Sequence, residues 1–188
     1  VLEPLVDFAH KNNIKVCFNA GTTSIKQGFD YMKKILATSH VVVMNKEEAS
    51  MCSGIVVRPD TKNEHYSHDI IHPDVRSMLK SLKMSNYQVI VITDGKNGAY
   101  AYDGKKFYYC PVFQSCVVST LGAGDAFAST FFAALDKTGH DIGKSLMYAS
   151  VVSSSVVSKF GATEGLISFN EVEMKLYQHH DYTYTEVE

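Results

Sequence analysis

The chain has 188 residues, 45% of them hydrophobic and 20% charged, with a net charge of −2. That composition suits a folded globular protein with room for one sizeable core, and its dispersed lysines argue against a nucleic-acid partner. No apolar stretch reaches the length of a membrane span and no signal segment opens the sequence, so neither a membrane role nor export is expected.

From Val1 to His10 the chain reads as a helix entered in mid-course, with Leu2, Leu5, Val6 and Ala9 on one face, as in a piece of a longer protein. Ile14 to Asn19 (IKVCFN) and His40 to Asn45 (HVVVMN) are short β-branched runs on either side of a helical stretch, Ile25 to Ala37. That spacing predicts a βαβ unit with parallel strands. A helix over Lys46 to Cys52 follows, then a polar loop or insertion from Val57 to His68, a helix from Asp74 to Lys83, and a buried strand from Gln88 to Thr93 (QVIVIT). Ala99 to Tyr102 and Lys106 to Val112, joined by Asp103-Gly104, read as a β-hairpin.

Beyond the hairpin, a glycine turn opens a helix running to Leu135. A long helix from Ile142 to Lys159, a loop at Gly161 to Gly165, a last helix from Asn170 to His179 and a loose tail from Asp181 to Glu188 complete the chain. The order predicts an α/β fold: a mostly parallel central sheet flanked by helices on both faces, with an inserted β-hairpin. Ligands of such sheets sit beyond the carboxyl ends of the strands, where Asn19, Asn45, Thr93 to Gly95 and the Gly122 loop all fall. Cys17, Cys52, Cys110 and Cys116 show no CxxC pairing and lie mostly in apolar runs, which fits reduced thiols and a cytoplasmic location.

Three segments carry residues suited to chemistry. In Gly122-Ala123-Gly124-Asp125 two glycines let backbone N–H groups converge at a helix N-terminus, where the dipole favours an anion and a carboxylate stands beside it. The bland alternative is a tight turn capped by Asp125. Asn45 sits at a strand end with Glu48 three residues on. Such a carboxylate can organise a hydrated Mg²⁺, and the same pair also makes a plain helix start. Thr93-Asp94-Gly95-Lys96-Asn97-Gly98 offers a hydroxyl and a flexible backbone to a nucleotide phosphate, and as an isolated turn it would mean nothing.

Together and in this order, these segments resemble the PfkB or ribokinase-like family of small-molecule kinases. The matching residues are Asn45-x-x-Glu48, Val91-Ile92-Thr93-x-Gly95-x-x-Gly98-Ala99, Thr120 to Phe127, and Lys159-Phe160-Gly161-Ala162. The resemblance runs from about Val6 to Leu176 and is most specific in Gly-Ala-Gly-Asp-Ala-Phe. It implies the C-terminal portion of such a kinase over residues 1–180, without the family's first half and lid, followed by the tail at 181–188.

By that resemblance the activity is transfer of the γ-phosphoryl group of ATP, with Mg²⁺, to a hydroxyl of a small sugar-like or nucleoside substrate. Asp125 would be the base and the amides of Gly122, Ala123 and Gly124 the anion hole. Thr93, Gly95, Gly98 and Asn45 would line the ATP side, Ser150 would flank the adenine, and Glu48 would serve Mg²⁺. A homodimer also fits, since family members often dimerise through the lid. The family usually carries Asp where this chain has Ser119, which leaves a monovalent-cation requirement open, and Asn19 does not separate sugar from nucleoside. A catalytically weakened member that binds nucleotide or a partner is the rival reading.

The remaining features point to structure. His65, His68 and His72 lie in the polar stretch without completing a ligand set, so a solvated insertion is expected in preference to a metal site. Phe127, Phe131 and Phe132 fall at helical spacing and read as core. His179 and His180, with the tyrosine-rich tail, read as surface or oligomer contact.

Overall fold

The computed structural model describes residues 2–58 and 70–188. The strands lie in chain order in a six-stranded, mostly parallel sheet with flanking helices, so the expected α/β class holds. Two compact units divide the described residues. The first comprises residues up to 92 together with 100–107 and Glu188, and the second comprises 93–99 and 108–187.

The first unit opens with α1 (Leu2–Lys11), β1 (Cys17–Asn19), α2 (Thr22–Ile25), α3 (Phe29–Thr38) and β2 (Val41–Asn45). β1 and β2 pair in parallel with Phe18 opposite Val42, the predicted βαβ unit. Its helical connection differs from expectation. Instead of one helix from Ile25 there are two, because Gly28 adopts φ +99, a conformation open to glycine and incompatible with a continuing helix. α3 buries Met32, Ile35 and Leu36 completely at helical spacing, and β2 has Val41 to Met44 all buried.

α4 (Lys46–Ser53), α5 (Pro73–Leu82) and β3 (Val89–Thr93) follow, and α5 turns Val75, Met78, Leu79 and Leu82 inward. His72 caps α5 by accepting from the Asp74 N–H at 3.1 Å, while His65 and His68 lie outside the described residues. The Arg58 guanidinium grips the Asp74 carboxylate with two hydrogen bonds and holds its pKa down to about 2. The wholly buried Gln88 ties the edge of β3 to the end of α3: its side-chain amide donates to the carbonyls of Leu36 and Ser39, and its oxygen accepts from Met84 N–H.

The predicted hairpin is present as β4 (Ala99–Tyr102) and β5 (Phe107–Cys110), with Asp103 accepting from the amides of Lys105 and Lys106 at the turn. In the second unit α6 (Ala123–Lys137) and α7 (Ile142–Val157) pack against each other, and α8 (Phe169–Gln178) packs on α7. Their core joins Phe113, Ala126, Ala134, Tyr148, Val151, Val152, Val156 and Val172. Phe127 and Phe131 are buried as expected, whereas Phe132 is only half-buried. The tail is not loose: Thr185–Val187 forms β6 and Tyr184 packs on Gly143, where no side chain would fit. None of the four cysteines, all among the described residues, is joined in a disulfide. Among the described residues no helix is long and apolar enough to cross a membrane.

Candidate active site

A cavity of about 370 Å³ opens within the second unit. It gathers six of the residues singled out in the sequence: Thr93, Gly95, Gly98, Ala123, Gly124 and Ser150. Apolar walls come from Val112, Phe113, Val117, Phe127 and Val157, and Lys96 supplies a cation on the loop side. A volume of this size with mainly apolar walls is in the range of small-molecule sites.

The glycine turn lines it through Ala123 and Gly124. Gly122 is the N-cap of α6 at φ +78, and a Cβ there would stand 2.6 Å from the carbonyl oxygen of Ala162. Glycine is therefore required twice, for the left-handed backbone and for the close approach of the Gly161-Ala162 loop. The Ala123 N–H leans on the Thr120 carbonyl at 3.3 Å. The amides of Gly122 and Gly124 have no backbone partner among the described residues, as expected at the start of a 15-residue helix. Asp125 follows, exposed in the first turn, where the helix dipole stabilises its negative charge. Ser119 shapes the approach to this turn: its hydroxyl accepts from the Leu121 N–H at 3.3 Å, and its own N–H donates to the Val157 carbonyl.

Between the lining residues Thr93 and Gly98 the chain turns back at Asp94, whose N–H donates to the Gly98 carbonyl at 2.8 Å. Gly98 has φ +95, and any Cβ there would run into the Cys110 carbonyl. Between them Gly95 opens the 3₁₀ turn Gly95–Asn97 with φ +51.

Three serines of α7 brace this cavity. Ser150 accepts from the Phe113 N–H at 3.0 Å and donates to the Pro111 carbonyl, and Ser154 donates to the Phe113 carbonyl at 2.6 Å. Ser153 donates to the Ala123 carbonyl at 3.1 Å, in the first turn of α6. Ser150 is thus a backbone brace in the wall where the resemblance placed it against adenine. No sequence signal marks Ser153, Ser154 or Phe113, because the segment 111–115 has no periodicity and its partners lie some forty residues further on.

Asn45 and Glu48 belong to the first unit, where they start α4 with a reciprocal capping box. The Asn45 side chain accepts from the Glu48 N–H at 2.8 Å, and Glu48 Oε2 accepts from the Asn45 N–H at 2.9 Å. Among the described residues no cluster of three or more His, Cys, Asp or Glu side chains is arranged to hold a metal ion.

The α/β fold thus brings a glycine turn at a helix N-terminus, a neighbouring carboxylate and an apolar cavity into one unit, an arrangement common to small-molecule sites. The chain belongs to the pfkB family of carbohydrate kinases, which it matches over residues 2–168. It is 28% identical over 152 residues to a 5-dehydro-2-deoxygluconokinase of Shouchella clausii, covering 80% of this chain and 41% of that protein. Among solved structures it resembles a nucleoside kinase of Methanocaldococcus jannaschii described as an archaeal member of the ribokinase family. The TM-score is 0.74 at 21% identity, over 94% of this chain and 52% of the other. A structure from Escherichia coli, described as a ribokinase II in complex with ATP and Mg²⁺, matches with a TM-score of 0.71 at 19% identity over 95% and 53% of the two chains. The chain thus spans about half the length of the relatives it matches.

Proposed function

We propose that this chain carries the phosphodonor site and catalytic base of an ATP-dependent small-molecule kinase, whose acceptor is a hydroxyl of a sugar-like substrate. The observation that carries the reading is that Ala123 and Gly124 of the glycine turn line the apolar cavity, with Asp125 as the next residue. The cavity takes the base and ribose, and the turn amides face the phosphates. Membership of a carbohydrate kinase family and the ATP and Mg²⁺ bound by the E. coli neighbour support this assignment.

In the proposed reaction Asp125 accepts the proton of the substrate hydroxyl as its oxygen forms a bond to the γ-phosphorus. The bond from that phosphorus to the β-phosphate oxygen breaks, and ADP leaves. Phosphoryl transfer passes through a loose transition state with charge spread over the phosphoryl oxygens, so positioned amide donors matter more than a strong base. The Gly122 and Gly124 amides supply such donors. Mg²⁺ would supply charge neutralisation for the phosphates, and Glu48 is the carboxylate that the family resemblance assigns to it. Buried, reduced Cys52 and Cys110 suit a reducing cytoplasm.

Replacing Asp125 by Asn in the full-length protein keeps the shape of the first turn and removes the base. Phosphorylation of a sugar and nucleoside panel falls by a factor on the order of a hundred or more, at unchanged thermal stability. Turnover equal to that of the parent across the panel would end the assignment of Asp125. Absence of turnover in both proteins, with ATP still bound, would favour a nucleotide-binding member over an enzyme.

A further inference from the structure

The wall of the cavity from Val112 to Ser115 belongs to no helix or strand, yet Phe113 is buried and lines the pocket. Something other than a backbone ladder must hold it. Two of its holders are the Ser150 and Ser154 hydroxyls. The third comes from the tail beyond α8. The Tyr182 hydroxyl donates to the Pro111 carbonyl at 2.7 Å and lies 3.2 Å from the Cys110 sulfur. Its one proton is committed to Pro111, so the thiol is the donor to the phenol oxygen. Ser150 donates to the same Pro111 carbonyl at 3.3 Å, so both lone pairs of that oxygen are used.

The contact is aromatic as well as polar. The Phe113 ring is met edge-on by Tyr182 and by His179, each with centroids 5.0 Å away. Cys110 and Pro111 are also the backbone against which Gly98 is pressed. One phenol therefore fixes the point from which both the Gly98 turn and the Phe113 wall extend. Tyr184 anchors the same tail on Gly143 of α7.

We propose that Tyr182 is a positioning residue for the nucleotide cavity, with the C-terminal tail acting as a latch that holds the Pro111–Ser115 wall in its binding shape. This rests on reading the cavity as the nucleotide site. It predicts that the tail sets affinity for the phosphodonor and leaves the chemical step alone, because neither Tyr182 nor its partners belong to the glycine turn.

The test uses the full-length protein and its Tyr182→Phe and Tyr182→Leu variants. ATP affinity is measured by calorimetry, the KM for ATP and kcat by steady-state kinetics, and folding by thermal melting. Tyr182→Phe keeps the ring against Phe113 and removes the hydrogen bond. ATP Kd and KM rise about 3- to 10-fold, kcat stays within about twofold, and Tyr182→Leu weakens binding further. An unchanged ATP Kd in Tyr182→Phe, or a fall in kcat without a change in Kd, overturns the proposal, and this variant decides the matter even where Tyr182→Leu fails to fold. A folded parent that binds no ATP overturns the nucleotide reading and the latch with it, whereas a parent that binds ATP as tightly as its variants overturns the latch alone.

Discussion

Substituting Gly122 by Ala asks one methyl group to satisfy two conditions at once. At φ +78 an L-residue pays about 1–2 kcal/mol over glycine. The new Cβ would also stand 2.6 Å from the Ala162 oxygen and 2.9 Å from the Ala162 Cα and Cβ, well inside the ordinary carbon–oxygen separation of about 3.3 Å. The obstacle is backbone and cannot swing aside, so the Gly161-Ala162 loop or the turn must move, and the combined loss is about 2–4 kcal/mol. For a domain of this size that lowers Tm by about 5–10 °C. Displacing the turn also misaligns its amide donors, each worth a factor of about 10²–10³ in comparable sites, so kcat drops by at least about 100-fold. Urea unfolding and steady-state kinetics measure the two effects. Gly124→Ala is the control: a Cβ at Gly124 meets nothing within 4 Å, so stability is held or improved there. A Gly122→Ala protein with the parent's Tm would refute the steric reasoning. One that melts early yet keeps kcat within about threefold would refute the anion-hole role.

Two further expectations concern the first unit. Glu48→Gln keeps an acceptor for the Asn45 N–H, so the capping box and Tm are retained to within about 0.5 kcal/mol. Loss of the carboxylate charge raises the Mg²⁺ concentration needed for half-maximal turnover, and an unchanged Mg²⁺ titration would leave Glu48 a capping residue only. His40 gives a pH dependence. Its Nδ1 accepts from the Val16 N–H at 3.2 Å, and burial, followed by Lys15 and His10, lowers its pKa below the ordinary 6.5. The fold therefore favours neutral His40, and this stabilisation is fully present above 6.5 and is lost as pH falls through the lowered value. Urea midpoints measured from pH 7.5 down to pH 5 show the parent losing more stability than His40→Gln; parallel profiles would rule the contribution out.

What could be read in advance followed local rules. α3, α5 and α7 announce themselves by apolar residues three and four apart, and β2 and β3 by runs too apolar to face water on either side. The break between α2 and α3 was missed because Gly28 is a single residue in an otherwise helical pattern, and its positive φ becomes obligatory only in the folded chain. The tail was misread for another reason. Thr185-Glu186-Val187 alternates as a strand does, but so short a segment acquires that state only from the sheet that receives it.

In the site the glycine turn was legible from spacing, while the cavity wall was not. Pro111 and Phe113 owe their placement to hydroxyls far along the chain, and a serine in a helix carries no local sign of which carbonyl it will reach.

The three serines of α7 give that helix a role as a gauge. Ser150 and Ser154 set where the Phe113 wall stands, and Ser153 sets where the first turn of α6 stands, so both distances are marked off along one rigid rod. Adjacent residues on such a rod are about 100° apart, and one residue inserted before Ser150 would carry all three hydroxyls away from their carbonyls together. The two ends of the cavity therefore hold or lose register as a pair. Residues 150–154 of α7 can drift in side chain only where these hydroxyls are spared, which leaves Val151 and Val152, on the core side, as the places where the packing is free to be re-solved.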